Sequence, residues 1–242
     1  MHPLDNPSWK ALTTHQAQLA LASGMARRFP PEICVHGALA LPLPPAFQDL
    51  ARLSPEPVCL FSQQKLQPPA GWTITRAVEL LEMVQESAPA SGAESGAASA
   101  SDRAALAGGF QIEDLTAADL PQMSVLYEAT RPGRKLCPKL YRMGGFVGIR
   151  NGNAEGGQLV AMACLRLHLP GYREISTVAT LPGFEGRGYA TALVRELACR
   201  IRARNEQPFL TVRTDNQRAI DIYRRLSFRQ RAQLQSTTIR YG

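Results

Sequence analysis

The chain has 242 residues, 45% of them hydrophobic, and carries 27 Lys and Arg against 20 Asp and Glu, for a formal net charge of +7. That composition is ordinary for a globular protein and leaves room for two modest domains or one large one. No run approaches the ~18 consecutive apolar residues of a membrane span, and the start MHPLDNPSWK lacks the basic patch and apolar core of a secretory signal.

The first 86 residues give short, mixed signals. Trp9 to Leu21 and Ala46 to Leu53 read as helices, the second after Pro44 and Pro45. Val58 to Ser62 reads as a strand and Ala77 to Gln85 as a helix. No chemical constellation stands out here, and a segment this small needs a neighbour to complete its core. Residues 87–107 begin as SAPASGAESGAASAS. So little apolar surface cannot offset ordering entropy, so a flexible linker is expected. The expected division is 1–86, a smaller N-terminal α/β domain; 87–107, a linker; and 108–242, the main domain.

The C-terminal segment is clearer. Phe110 to Leu115 reads as a strand, and Thr116 with Asp119 opens a helix to about Ala129. Gly145 to Arg150 reads as a strand, and NGNAEGG (151–157) as a turn. Gln158 to Leu169 and Tyr172 to Thr180 read as a hairpin about Pro170-Gly171. A helix is expected from Gly188 to about Arg204, because Leu193, Val194, Leu197, Ala198 and Ile201 follow helical spacing. Then come a strand, Phe209 to Thr214, a helix, Gln217 to Leu226, and two strands, Ser227 to Ala232 and Leu234 to Tyr241. The order gives an α/β protein with a mixed sheet and helices on its faces.

The basic excess lies in this segment. From residue 108 onward there are 20 Lys and Arg against 11 Asp and Glu, a net +9, whereas the earlier residues hold 7 and 9, a net −2. A polyanionic small molecule, nucleic acid or an anionic membrane fits such a charge, as does a merely solvated surface. The basic residues do not interleave with aromatics as in single-strand binders, which argues against nucleic acid. Cysteines 34, 59, 137, 164 and 199 form no CxxC pair, which reads as free thiols in a reducing cytoplasm. The four histidines show no metal-ligand spacing, so no metal is expected.

Residues Ile175 to Ala190, ISTVATLPGFEGRGYA, carry most of the functional signal. A β-branched run ends in a Pro-Gly turn, and a loop of small residues opens an amphipathic helix. Such a junction aims several backbone N–H groups at one spot with the positive end of a helix dipole behind them, a seat for phosphate. The strict G-x-G-x-x-G pattern is absent, and no strand–helix–strand unit with a ribose-binding acid follows, which argues against a nicotinamide or flavin.

A second element follows the next strand: Asn216-x-x-Ala219-x-x-x-Tyr223-x-x-x-Ser227-Phe228. Together the two motifs resemble the GNAT acetyltransferase superfamily over about residues 108–242. The resemblance implies a GNAT acyl-CoA N-acyltransferase fold there. In that family Arg/Gln-x-x-Gly-x-Gly/Ala cradles the coenzyme A pyrophosphate. Here it reads Glu185-Gly186-Arg187-Gly188-Tyr189-Ala190, followed by Thr191. The run EISTVATLPGFEGRGYATAL is closest to a subgroup that includes the glycine N-acyltransferases, and two-domain relatives imply that the N-terminal part is a degenerate copy of the fold. Two departures stand out. Glu185 replaces Arg or Gln, an unfavourable charge beside a pyrophosphate unless it points away or pairs with Arg187. Ser227 replaces the usual Gly, at a modest cost if the position needs positive φ.

The resemblance assigns roles. Tyr223 is the proton donor to the departing thiolate, and Glu174, early in its strand, is the base. The backbone of Val178, Ala179 and Thr180 pairs with the pantetheine like an added strand. Asn216, Ala219 and Tyr223 line the cofactor's other side, and Arg187 faces phosphate. Plainer readings stand beside these. Tyr223 shares an apolar helical face with Ala219, Ile220 and Leu226; Glu174 suits a salt bridge; Asn216 suits a helix cap; Cys164 suits packing. Arg131, Arg134, Lys135 and Lys139 cluster in the connection where an acceptor would enter, consistent with an acidic acceptor or with a solvated loop. The expected activity is transfer of an acetyl group from acetyl-CoA to a primary amine by direct attack in a ternary complex. A longer acyl-CoA, a coenzyme A-binding regulatory module without turnover, and a nucleic-acid binder are the alternatives, and a homodimer is left open.

Overall fold

The computed structural model describes residues 2–85, 110–152 and 157–242. The expected linker, 87–107, and the tip of the 151–157 turn lie outside them.

In chain order, α1 is Pro7–Thr13, capped by the Asn6 side chain. A small antiparallel sheet follows, made of β1 (Leu21–Ser23), β2 (Ala26–Arg28) and β3 (Gly37–Leu39). Next come α2 (Pro44–Ala51), β4 (Val58–Ser62) and β5 (Trp72–Gln85). The C-terminal segment gives β6 (Ile112–Leu115), the capping box of Thr116 and Asp119, then α3 (Leu120–Thr130) and β7 (Phe146–Asn151). It continues with β8 (Gln158–Leu169), β9 (Tyr172–Thr180), α4 (Tyr189–Arg202), β10 (Gln207–Arg213), α5 (Gln217–Arg225) and β11 (Phe228–Tyr241).

The main sheet has eight strands in the order β4-β11-β5-β10-β9-β8-β7-β6. Every pair is antiparallel except β9 with β10. The mixed α/β class expected from the sequence is therefore observed. Two strands of this sheet, β4 and β5, come from the N-terminal segment, and β5 lies between β10 and β11.

The helix expected over Ala77 to Gln85 is thus replaced by the second half of β5. Its residues Ala, Glu, Leu and Met favour a helix locally. Pairing on both edges, with β10 through Leu80–Val84 and with β11 along the whole strand, overrides that preference. Likewise the two expected terminal strands are one, β11, whose register shifts between Gln230 and Ala232. That irregularity gives the sequence its apparent break. The first expected helix is shorter, ending at Thr13 before a separate 3-10 turn at Ala17–Leu19.

Both faces of the sheet are covered. On one face α4 and α5 bury Leu193, Leu197, Ile201, Ile220 and Tyr223 against Val147, Val160, Ile175, Leu210 and Phe228. On the other, α1 and α3 pack on the same strands, so Leu12, Phe29 and Ile33 share a core with Met123, Leu126, Phe146 and Phe209. The segments are also tied by charge: Arg231 of β11 donates to buried Glu82 of β5 at 2.6 Å and to Asp5 near the N-terminus.

Candidate active site

The two parallel strands pair only briefly. Gln207–Phe209 of β10 meet Tyr172–Glu174 of β9, and beyond that point the strands diverge. The wedge between them opens into a groove of about 1190 Å³. That exceeds the ~300–1,000 Å³ of most small-molecule sites, so there is room for an elongated ligand and a second reactant. Ile175–Thr180 of β9 line one side, Thr211–Arg213 of β10 and the start of α5 the other, and the α4 N-terminus the mouth.

A bulge marks β9. Met162 pairs with Ala179 and Cys164 with Ser176, so Ala163 alone opposes Thr177 and Val178. Thr177 sits at φ 53°, a left-handed conformation that a β-branched residue rarely adopts. The bulge twists the groove edge of β9 just where an added strand would pair. Nothing in the residue pattern signals it.

The loop before α4 behaves as expected of a phosphate seat. Gly186 and Gly188 have φ of 80° and 83°, which only glycine adopts freely. Gly188 is the N-cap and supplies no side chain to the helix. The first-turn residues Tyr189, Ala190 and Thr191 line the groove, their N–H groups at the positive end of a 14-residue helix. A pyrophosphate fits this donor set, and no side chain among the described residues caps this helix start.

Most of the expected cofactor residues meet in the groove: Val178, Ala179, Thr180, Glu185, Gly186, Gly188, Tyr189, Ala190, Thr191, Asn216, Ala219 and Tyr223 all line it. Arg187 does not. Its guanidinium stacks over Phe184 at 4.9 Å and donates to the Gly183 carbonyl. The basic residue at the seat is instead Arg218, which pairs with Glu185 at 2.8 Å. Glu185 therefore does not stand bare beside the seat, although its partner is not the Arg187 expected. Asn216 caps α5 by accepting from the Ala219 N–H at 3.2 Å while also lining the groove. Ser227 has φ 64°, so the position does need the left-handed conformation its usual glycine would supply.

Glu174 stands elsewhere than the base assignment requires. It is fully buried and does not line the groove. Arg166 grips both its oxygens, at 2.6 and 2.9 Å, and the Leu167 N–H adds a third contact at 3.3 Å. The cause is a second hairpin bulge: Leu165 pairs with Ile175 and His168 with Arg173, so Arg166 and Leu167 both oppose Glu174. Burial lowers the Arg166 pKa, but the Glu174 carboxylate outweighs it and holds the guanidinium charged. Glu174 therefore sits behind the groove lining, held by Arg166, rather than on the groove surface.

Arg166 also donates to His36 Nε2 at 2.9 Å. Burial first, then the charges of Arg166 and Arg134, depress the His36 pKa well below its usual value. His36 is therefore neutral, with Nε2 as acceptor and its proton on Nδ1. That Nδ1 is buried without a hydrogen-bond partner among the described residues. His36 lines the groove together with Arg76, Val78 and Leu80 of β5. These N-terminal residues carried no signal in the sequence.

Tyr223 lies on the buried face of α5 and also lines the groove. Burial pushes its pKa up to about 12, against the pull of nearby Arg131. A tyrosine so placed keeps its proton at neutral pH, which suits a donor and not a base. Arg131 also lines the groove, stacks on Tyr127 at 4.9 Å and donates to the Val178 carbonyl at 3.1 Å. Cys164 is fully buried, outside the groove, with its thiol pushed up to about 11 by burial. It is a packing residue.

A splayed mixed sheet with a donor-rich helix start at its wedge offers a seat to an elongated, phosphate-bearing ligand. Comparison with known proteins gives the family. Over their full lengths, the chain and a solved GNAT-family protein from Novosphingobium aromaticivorans are 31% identical, with a TM-score of 0.81. The chain belongs to the GNAT acetyltransferase family. The FR47-like protein family matches residues 146–237, from β7 into β11. A GCN5-related N-acetyltransferase from Kribbella flavida shares the fold at 17% identity and TM-score 0.55, with 96% of each chain covered. A GCN5-related N-acetyltransferase-like protein from Streptococcus suis does so at 13% and 0.59, covering 98% of this chain and 94% of its own. No curated protein matches the chain.

Proposed function

We propose that the protein transfers an acetyl group from acetyl-CoA to a primary amine by direct attack in a ternary complex. The observation that carries this reading is one juxtaposition. The unpaired edge of β9 at Val178–Thr180, the uncapped N-terminus of α4 and the buried, protonated Tyr223 line a single groove. The first two fit a pantetheine arm and its pyrophosphate, and the third adds a protonated hydroxyl to the same groove.

Acetyl-CoA supplies an activated acyl thioester. The chain's part is to hold that thioester along β9 through main-chain hydrogen bonds, to bind the diphosphate at α4, and to exclude water from the wedge. As the N–C bond forms the C–S bond breaks, and the Tyr223 hydroxyl gives its proton to the departing sulfur. The proton released by the amine passes to solvent, and solvent restores the one on Tyr223. Glu185 is the lone carboxylate among the described residues that line the groove, and Arg218 pairs with it. The amine therefore reacts as the free base, and kcat/KM rises with pH toward the amine's own pKa of about 8–10.

The test is acetyl transfer from acetyl-CoA to a broad amine panel, with Tyr223→Phe beside the wild type. Removing a general acid should lower kcat about 10²-fold or more while leaving KM for acetyl-CoA unchanged. Binding of acetyl-CoA with no transfer to any amine would favour a coenzyme A-binding module. Equal turnover by Tyr223→Phe would reduce Tyr223 to packing.

A further inference from the structure

Away from the groove, three side chains from distant parts of the chain converge on one point. His15 lies in the turn after α1, His168 in β8 and Glu206 in the connection from α4 to β10. One ring nitrogen of each histidine and one Glu206 oxygen all lie within 4.8 Å of one another. His168 Nε2 is 2.5 Å from Glu206 Oε1, and the two imidazoles meet edge to face with centroids 4.5 Å apart. None of the three lines the groove. Positions 15, 168 and 206 are too far apart in the chain to form a recognisable ligand pattern.

The fold holds these groups in place before any ligand arrives. Gln16, next to His15, is buried and pins that turn to β8. Its amide nitrogen donates to the Arg166 carbonyl at 2.9 Å and the Met143 carbonyl at 3.2 Å, and its oxygen accepts from the His168 N–H at 3.1 Å. Glu206 precedes Gln207, whose N–H donates at 2.8 Å to the Gly171 carbonyl in the turn of the β8–β9 hairpin. Such preorganisation reduces the entropy cost of binding.

The His168–Glu206 hydrogen bond alone accounts for two of the three groups. It leaves out His15, whose ring is exposed and makes no hydrogen bond to a described residue. Two imidazoles and a carboxylate are the donor set of zinc sites with three protein ligands and an open fourth position. Zinc bonds of about 2.0–2.2 Å in tetrahedral geometry set such donors about 3.3 Å apart. The observed span reaches that spacing by side-chain rotation, with His168 and Glu206 parting slightly to admit the metal. Charge moderates the affinity. Glu206 attracts a cation, whereas the buried Arg173, whose charge is felt at His168, opposes one. Binding should therefore be micromolar, weaker than at thiolate sites.

We infer that His15, His168 and Glu206 form a site for a divalent metal of the zinc class, which clamps the N-terminal segment to the C-terminal sheet. Its place suits a clamp rather than chemistry. Gln207, the neighbour of Glu206, pairs with Tyr172 where β9 and β10 meet, and the groove opens where those strands diverge. A metal that joins residue 15 to residues 168 and 206 binds the folded state alone and so stabilises it. The acetyl-transfer reading plays no part in this inference.

The experiment titrates zinc chloride into untagged, full-length protein by calorimetry and follows thermal unfolding in zinc and in EDTA. One equivalent should bind saturably. At zinc about 100 times Kd, Tm should rise by about 5 °C or more over its value in EDTA. His15→Ala removes an exposed side chain, so Tm in EDTA should not move. Zinc affinity should fall about tenfold or more, and the rise in Tm should vanish. Glu206→Gln keeps a hydrogen-bond partner for His168 and should weaken zinc binding in the same way. No saturable binding at millimolar zinc would overturn the inference. So would binding that survives His15→Ala, which would put the metal elsewhere, as at the exposed Cys199. Binding that leaves Tm in place would remove the clamp.

Discussion

The two walls of the groove are built by different means. The wall of β9 and α4 works through backbone: an unpaired strand edge, two left-handed glycines and an uncapped helix start. The rest of the lining works through side chains gathered from far apart, Arg76 and His36 from the N-terminal segment and Arg131 from the connection after α3. A backbone site needs particular residues at particular spacings, so it leaves a local signature. A side-chain site needs only that the fold bring its members together, so it leaves none. One wall suits a constant ligand and the other a particular acceptor.

The sharpest challenge to this division is Glu174, the residue that sequence places at the chemistry and the structure places behind it. Glu174→Gln breaks a buried, doubly bonded ion pair and should cost about 3–5 kcal/mol of stability. The pH dependence of kcat/KM in the surviving folded protein should keep its shape. Loss of a titrating limb from that profile would return Glu174 to the role of base. Chemical denaturation paired with pH-rate measurements reads both.

A second prediction concerns whether the side-chain wall is part of the same cooperative unit. Met83 of β5 is fully buried against strands from the C-terminal segment. Met83→Ala should cost about 2–5 kcal/mol. Both tryptophans, Trp9 and Trp72, lie in the N-terminal segment, so their fluorescence reports that segment while far-ultraviolet circular dichroism reports the whole. The two signals should shift together on heating. Separate transitions would mean that β5 only leans on the sheet.

The smallest effect expected is at Ser227. With φ at 64°, Ser227→Gly should relieve strain and raise stability by about 0.5–1 kcal/mol. Acetyl-CoA affinity should be unchanged, because the residue acts on the turn into β11 and not on the groove. Thermal denaturation with and without cofactor distinguishes these effects.

How much was legible in the sequence follows the same line. The β8 and β9 hairpin was readable to the residue, since Pro170-Gly171 sets the turn and apolar runs flank it. The helices α4 and α5 were readable from apolar spacing. The second half of β5 was not, because its helix-forming residues are overruled by partners that lie more than 120 residues away in the chain. In the site, the glycines and the Asn216–Tyr223 spacing were visible, and most residues taken from them do line the groove. The burial of Glu174 behind the groove comes from a one-residue bulge that sets Arg166 opposite it. The swap of Arg218 for Arg187 came from side-chain packing, since Arg187 finds the Phe184 ring. Neither event has a sequence pattern.

The central claim is that the backbone wall is an acetyl-CoA site. Calorimetric titration of acetyl-CoA into the full-length protein tests it most directly. The account predicts saturable binding at one equivalent, competed by free coenzyme A and weakened by Arg218→Ala at the phosphate seat. No detectable binding at millimolar acetyl-CoA, with the protein folded, would contradict it.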